Sequence, residues 1–416
     1  MISIRLSHSA ALVAIVFVGG CANALAADVS LDNLTFATKD GGSAMIKHVE
    51  FDGTNLSKDE VTALFSATST RETRAPIIAK MQATKILVPE VVFIDKDKAG
   101  TITFHEFQAT GVNAGKVEHM TLTGFDGSGT AADVPGQMTL HSGAIGIDGG
   151  DFSKLLLALR DGDLTNAGTS QINHFSWQGF SLTVPDKDTP TTAAGGNLYK
   201  IALASLVGQA TYSADLPATA SGELKDLTIE PPKASEFGQQ LAAFGYDKID
   251  LGFTASGSYD AAKKTYALDN YTITGANAGS LSFKAQFGGI DKTAFVGDQK
   301  ARLAALEGGN VSSATLSYSN NGLFEKAVGF FAKAQKMTPD AIKQQWSALV
   351  TQILPALLGG DPSSLKLAAG VTKFIAAPKT LSISVRANGA PITFSDIMAT
   401  APAALLKKVT VDVTPQ

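Results

Sequence analysis

From residue 31 onward the chain is dominated by short segments in which apolar and polar side chains alternate. Leu381, Ile383 and Val385 alternate with Ser and Arg. Leu281, Phe283, Ala285 and Phe287 alternate with Ser, Lys and Gln, and Ile249, Leu251, Phe253 and Ala255 with Asp, Gly and Thr. A period of two with one apolar face predicts antiparallel strands that cover a core on one side. Residues 249–287 read as a three-strand meander with turns at Asp260–Lys264 and around Gly275-Ala276-Asn277. The middle strand changes phase between Leu268 and Tyr271, which predicts a bulge at Asp269-Asn270. Phe175, Trp177, Phe180, Leu182 and Val184 change phase in the same way at Gly179.

Helix signals interrupt the strands. Ser57-Lys58-Asp59-Glu60 is a capping box opening a short helix to about residue 67. Thr338-Pro339-Asp340 sets a cap, a proline at the first helical position and an acid in the first turn. The following helix spaces Ile342, Trp346, Leu349, Val350, Ile353 and Leu357 along one face, with Pro355 kinking or ending it. Asp361-Pro362 repeats the cap for a helix to about Ala376, and residues 323–334 form one with a wide apolar arc. The expected fold is mostly β (α+β): an extended antiparallel β-sheet with interspersed short helices and a C-terminal helical cluster. The expected division is a leader (1–26), a β-rich region with short capped helices (27–220), and a β-meander with a helical insertion (221–416). Phe51–Lys58 and Ile147–Lys154 echo each other at an offset of 96, each reading as strand, tight turn, helix cap and short helix, with a weaker copy at Ile392–Met398. Duplication and repeated turn chemistry explain this equally well.

Composition narrows the function. The chain has 416 residues, 34 basic and 38 acidic groups and a net charge of −4, which excludes a broad electrostatic footprint for nucleic acid. Arg5 precedes an apolar run, Ala10–Gly20, of signal-peptide length, and Ala24-Leu25-Ala26 fits a cleavage site. Export, most simply to a periplasm, is expected. Alternatively, Val18-Gly19-Gly20-Cys21 reads as a lipobox, with a lipid anchor at Cys21. Cys21 is the only cysteine, so no intrachain disulfide can form. No later stretch reaches eighteen apolar residues, so no transmembrane helix is expected in the mature chain.

Candidate chemistry is sparse. Asp95–Phe107 follows a calcium-loop template, with Asp95, Asp97 and Glu106 at positions 1, 3 and 12 and Gly100 at position 6. Ala99 at position 5 offers no oxygen, and the preceding segment is β-branched and contains Pro89. A β-hairpin is the preferred reading, and calcium the alternative. Otherwise no metal and no cofactor is assigned. His48, His105, His119, His141 and His174 lie scattered on strands and are read as solvent-facing; no zinc spacing is present. Gly127-Ser128-Gly129 lacks the ending of a phosphate loop and reads as a flexible turn, and Asp161-Gly162-Asp163 follows a predicted helix. No nucleophile motif stands out, so no catalytic residue is assigned and an enzyme is unsupported.

The leader, the repeated strand–helix units and Gly252–Ala294 resemble uncharacterised exported proteins of proteobacteria. More distantly, the chain is similar to the AsmA and YdgA type of envelope protein. Asn321-Gly322-Leu323-Phe324 and Pro391-Ile392-Thr393-Phe394 fit that likeness, which centres on residues 220–416. It implies a long, curved sheet with an apolar inner face. The leading expectation is therefore a non-enzymatic envelope protein whose apolar β-groove binds or shields a lipid-like ligand, with Phe324, Phe330, Phe331 and Trp346 as candidate contacts beyond their core role. Alternatives are a structural or protein-interaction protein of the periplasm with a closed core, and an envelope-polymer hydrolase.

Overall fold

The computed structural model describes residues 27–37, 41–66, 69–96, 99–131, 134–152, 171–189, 192, 196–214, 216–296 and 299–415. The fold is mostly β, with seventeen strands among the described residues, and every described pairing is antiparallel. The chain divides into two compact units, Met1–Ala210 and Thr211–Gln416.

In the first unit, β1 (Ala27–Ala37), β2 (Ser43–Thr54), β3 (Gln82–Ile94), β4 (Gly100–Asn113) and β5 (Lys116–Ala131) pair in succession. Two helices, α1 (Lys58–Leu64) and α2 (Arg71–Lys80), follow β2. The capping box is present: Glu60 N–H donates to Ser57 Oγ, and Ser57 N–H to Glu60 Oε2 at 3.0 Å. Val61 and Leu64 of α1 and Ile77 of α2 seat on Val49, Phe51, Ile86 and Val88 of the strands, forming the largest core cluster. The period-two pattern buries one strand face here, and the helices close it. Pro76 and low amphipathicity hid α2 from sequence reading.

β5 then changes partner. Through Leu122 it pairs with β7 (Ile145–Asp151), and from Phe125 with β6 (Val134–Ser142). β8 (Gln171–Pro185) switches between the same two strands, leaving β7 after Trp177 and joining β6 at Phe180. β8 pairs in turn with β9 (Leu198–Ser213). The phase break read at Gly179 is this switch. Gly124 of β5, Gly179 of β8 and Gly143 of the β6–β7 connection meet there: Gly143 N–H donates to the Gly179 carbonyl at 2.9 Å. A Cβ on Gly124, whose φ is +154°, would lie 2.2 Å from the Ser142 carbonyl oxygen, and one on Gly143 2.5 Å from that of Gln178. Trp177 Nε1 donates to the buried Ser142 Oγ beside this crease at 2.7 Å. Gly124→Ala is therefore expected to cost about 2 kcal/mol or more through backbone strain. Thermal unfolding followed by Trp177 fluorescence in a Trp346→Phe background would show it, and an unchanged midpoint would contradict the crease.

Gly127-Ser128-Gly129 is not a turn. It lies inside β5, with Ser128 opposite Thr101 and Gly127 opposite Leu140. Strand pairing on both sides overrides the turn propensity of the glycines. The echoed Asp-Gly pairs are likewise not tight turns, since Gly53 and Gly149 sit within β2 and β7 with φ of +55° and +63°. Ser153, Lys154 and Asp161–Asp163 lie outside the described residues, as does the leader with Cys21.

In the second unit, β10 (Leu216–Glu230), β11 (Ile249–Asp260), β12 (Thr265–Gly275), β13 (Gly279–Gly288), β14 (Asn310–Asn320), β15 (Thr380–Ala387) and β17 (Val409–Pro415) pair in that order, and β16 (Ile392–Thr393) pairs with β14. The meander forms as expected: Asp260 opposes Thr265, and the register shifts between Leu268 and Tyr271. The helices are α3 (Glu236–Ala243), α4 (Thr293–Val296), α5 (Gln299–Glu307), α6 (Leu323–Gln335), α7 (Pro339–Leu357), α8 (Pro362–Ala376), α9 (Phe394–Ala399) and α10 (Pro402–Leu406). Thr338 and Asp361 cap α7 and α8 as read, and Pro355 sits in the last turn of α7. The C-terminal cluster α6–α8 is the one expected, and the strand, Thr393 cap and short helix α9 match the weaker copy read at Ile392–Met398, while α3, α4, α5 and α10 were not legible.

Candidate functional site: an open apolar sheet face

Register sorts the side chains of the second unit into rows. Ala255, Tyr271, Phe283, Leu316, Ile383 and Val413 oppose one another across six strands, and Phe253, Ile273, Leu281, Tyr318 and Leu381 make a parallel row. Directly opposed residues share a face, so both rows lie on one side. Their alternation partners fall on the other side: Thr254, Thr272, Ser282, Ser317, Ser382 and Thr414 oppose one another there, with Ser317 and Ser382 hydroxyls 2.8 Å apart.

The helices cover one end of the apolar side. Helix α8 lies so close to β17 that a Cβ on Gly370 would sit 2.1 Å from Val413 Cγ1, and Phe374 packs edge-on against Tyr318 at 5.8 Å. Toward β12 and β13 the cover stops. Tyr271, Ile273, Leu281 and Leu316 keep 40, 38, 44 and 42% of their surface exposed. Phe253 leans edge-on against Tyr271 at 4.9 Å. These neighbours leave an uncharged patch open to water in mid-sheet, where period-two burial would lead one to expect a core.

The four candidate aromatics are brought together, but as packing between helices. Phe324 contacts Trp346 and Phe374 at 5.8 and 5.6 Å, Trp346 contacts Phe331, and Phe331 contacts Phe330. Phe330 stacks on Phe244 at 4.1 Å, beyond the end of α3, and Lys326 Nζ lies 3.4 Å from the Tyr246 ring centre. Phe324 and Trp346 pack against buried Val328, Ala332 and Ile342, while Phe331 remains open. Sequence reading identified the strands carrying Phe253, Tyr271, Ile273, Leu281 and Phe283, but not the strand of Leu316 nor the convergence of these residues, since register over long separations carries no local signal.

The first unit holds a different arrangement. Each described histidine lies beside an aspartate of a neighbouring strand. His105 Nε2 and His141 Nδ1 approach opposite oxygens of Asp126 at 2.8 and 2.7 Å. His119 Nδ1 and His174 Nδ1 do the same to Asp148 at 2.7 and 3.0 Å, and His48 Nδ1 lies 2.7 Å from Asp32. All of these side chains face solvent. The hydrogen bond from His141, then that from His105, holds the Asp126 carboxyl below its ordinary 3.8. The bond from His119 does the same for Asp148, helped by His174. Folded-state values below the unfolded one mean that this stabilisation is present above about pH 3.8 and is lost as pH falls through the lowered value. The stability gap between the wild type and Asp126→Asn/Asp148→Asn should therefore hold above pH 4 and close below it in urea titrations. A gap that stays constant to pH 2 would refute the linkage.

Of the calcium-loop residues, Asp95 and Glu106 are described and Asp97 lies outside the described residues. The loop joins strands β3 and β4, with Asp95 N–H donating to the Gly100 carbonyl at 3.0 Å and Asp95 Oδ1 accepting from Lys96 N–H at 2.8 Å. Glu106 sits within β4 at a φ of +23°, exposed. Among the described residues, no three His, Cys, Asp or Glu side chains form a group that could hold a metal ion. No described helix is long and apolar enough to cross a membrane.

Residues 272–416 match a family model described as "Uncharacterized protein". The match begins in β12 and covers the rest of the second unit, with most of the apolar rows and the whole helical cluster. No curated protein matches the chain.

Proposed function

We propose that this is a non-enzymatic, exported envelope protein whose open apolar face on β11–β14 receives the acyl chains of a lipid-like amphiphile. The observation that carries this reading is the exposure of Tyr271, Ile273, Leu281 and Leu316 in the middle of a sheet face that α8 covers elsewhere. Soluble proteins rarely leave such a patch without a use for it. The likeness of the sequence to the AsmA and YdgA type of envelope protein points the same way, and the leader accounts for delivery to the envelope.

Magnitudes narrow the ligand. A fully buried methylene gains about 0.8 kcal/mol. An open face covers one side, so a chain of about fifteen methylenes gains roughly 6 kcal/mol, a Kd between millimolar and micromolar. Two chains gain roughly 12 kcal/mol before ordering costs, which reaches the range that survives purification. A diacyl amphiphile fits better than a free fatty acid.

Native mass spectrometry of protein isolated from its own envelope fraction, with organic extraction of the same sample, tests this. A bound amphiphile near one-to-one, released on denaturation, is the expected result. An apoprotein mass that is unchanged after incubation with diacyl lipid would remove the reading. A second reading, a protein-interaction role, is favoured by Leu349, Ile353 and Leu357, a stripe along α7 that is 46, 47 and 70% exposed.

A further inference from the structure

The exposed stripe along α7 continues a face that is buried at its other end. Ile342 has no accessible surface, and Trp346 meets Phe324 and Phe331 of α6 at 5.8 and 5.7 Å. Only residues 336–338 join α6 to α7, and Phe324, in the first turn of α6, already reaches Trp346. The two helices therefore run antiparallel, and α6 ends at that level. Leu349, Ile353 and Leu357 follow Trp346 at spacings of three, four and four, on the same side and past the end of that cover. Helix α8 turns back along α7, with the Thr351 and Thr372 hydroxyls 3.3 Å apart. It adds Leu365, 55% exposed, near the same end of the hairpin.

Charge is arranged around this end. Residues 344–360 are seventeen positions without a charged side chain, whereas an ordinary water-facing surface intersperses charges of both signs. The helical cluster, residues 323–376, carries six lysines against Glu325, Asp340 and Asp361, a net charge of +3 in a chain of −4 overall. Asp361, the one acid beside the tip, accepts from Ser364 N–H at 2.8 Å and sits on the positive end of the α8 dipole. Lys343 precedes Leu349 by six residues and Lys373 follows Leu365 by eight, about 9 and 12 Å along their helices.

We infer that the free end of the α7–α8 hairpin docks on the surface of an anionic lipid bilayer. Apolar faces of interfacial helices sink about 5–10 Å into the boundary between headgroups and acyl chains. With Leu349, Ile353, Leu357 and Leu365 immersed to that depth, Lys343 and Lys373 stand at the level of the lipid phosphates. A second copy seated on the stripe would instead bring two clusters of +3 together, and an uncharged protein partner would leave the lysines unanswered. The contact is superficial, since no described helix is long and apolar enough to cross a membrane. It uses none of the residues of the open sheet face and does not rest on that reading.

Co-sedimentation of the full chain with phosphatidylcholine vesicles, with and without phosphatidylglycerol, tests the assignment. The wild type is expected to pellet with the anionic vesicles, and replacing Lys343 and Lys373 by Gln should weaken binding about fivefold per lysine at low salt. Leu349→Asp combined with Ile353→Asp should weaken it more than tenfold. Both side chains are about half exposed, so the variant should melt as the wild type does by circular dichroism; Leu357→Asp, at the most exposed position of the stripe, repeats the test should it not. Leu281→Asp/Leu316→Asp should bind vesicles like the wild type, which separates this contact from amphiphile capture on the sheet. Four results would each overturn the proposal. They are no pelleting of the wild type, equal pelleting with neutral vesicles, unchanged binding by the folded stripe variants, and a wild-type dimer in sedimentation velocity that those variants dissociate, which would give the stripe to a second copy.

Discussion

A Phe51→Ala variant is expected to lose about 3–5 kcal/mol of unfolding free energy, the range for emptying a fully buried aromatic site. Phe51 has no accessible surface, belongs to the largest core cluster, and meets Phe65 edge-on at 6.3 Å. The cluster draws on β1–β5 and both N-terminal helices, so neighbours anchored on several elements cannot collapse into the space together. A loss of that size is a large share of the 5–15 kcal/mol typical of a domain. Urea unfolding in a Trp346→Phe background isolates Trp177, the remaining tryptophan, which lies in the first unit. Its midpoint should fall steeply. A loss under 1 kcal/mol would mean that the helices do not close this face tightly.

The second large effect concerns the open face. Leu281→Asp combined with Leu316→Asp should abolish amphiphile retention while leaving stability within about 1 kcal/mol. Both side chains are already more than 40% exposed, so new carboxylates remain hydrated in the free protein. Under an acyl chain they would be stripped of water, at a cost of several kcal/mol each. Ser282→Asp, one residue along β13 on the opposite face, adds a comparable charge and should keep the lipid. Native mass spectra of the three proteins decide the matter. Lipid still bound to the double variant would refute the assigned face, as would its loss from Ser282→Asp.

The predictions differ in how far the sequence anticipates them. The meander around Asp260 and Gly275, the bulge before Tyr271 and the caps at Ser57, Thr338 and Asp361 were all readable, because each rests on side chains within about four residues of one another. The phase break at Gly179 was also readable, but not its cause. That β8 changes partner there depends on β6 and β7, more than thirty positions earlier in the chain. The glycines at 127 and 129 misled for the same reason: locally they favour a turn, and only pairing with β4 and β6 holds them extended.

By itself, then, the sequence determined the strand period, the starts of the capped helices α1, α7 and α8 and the apolar character of one sheet face, since these are local consequences of side-chain spacing. Tertiary structure alone decided which rows align, how far α8 reaches over them, and hence that Tyr271, Ile273, Leu281 and Leu316 stay open. It also decided that histidines which look scattered along the chain stand 15 to 29 residues from the aspartates they face. The physical reason is register: a slip of one residue sends a side chain to the opposite face, and register is set by the packing of the whole unit rather than by any local run of residues.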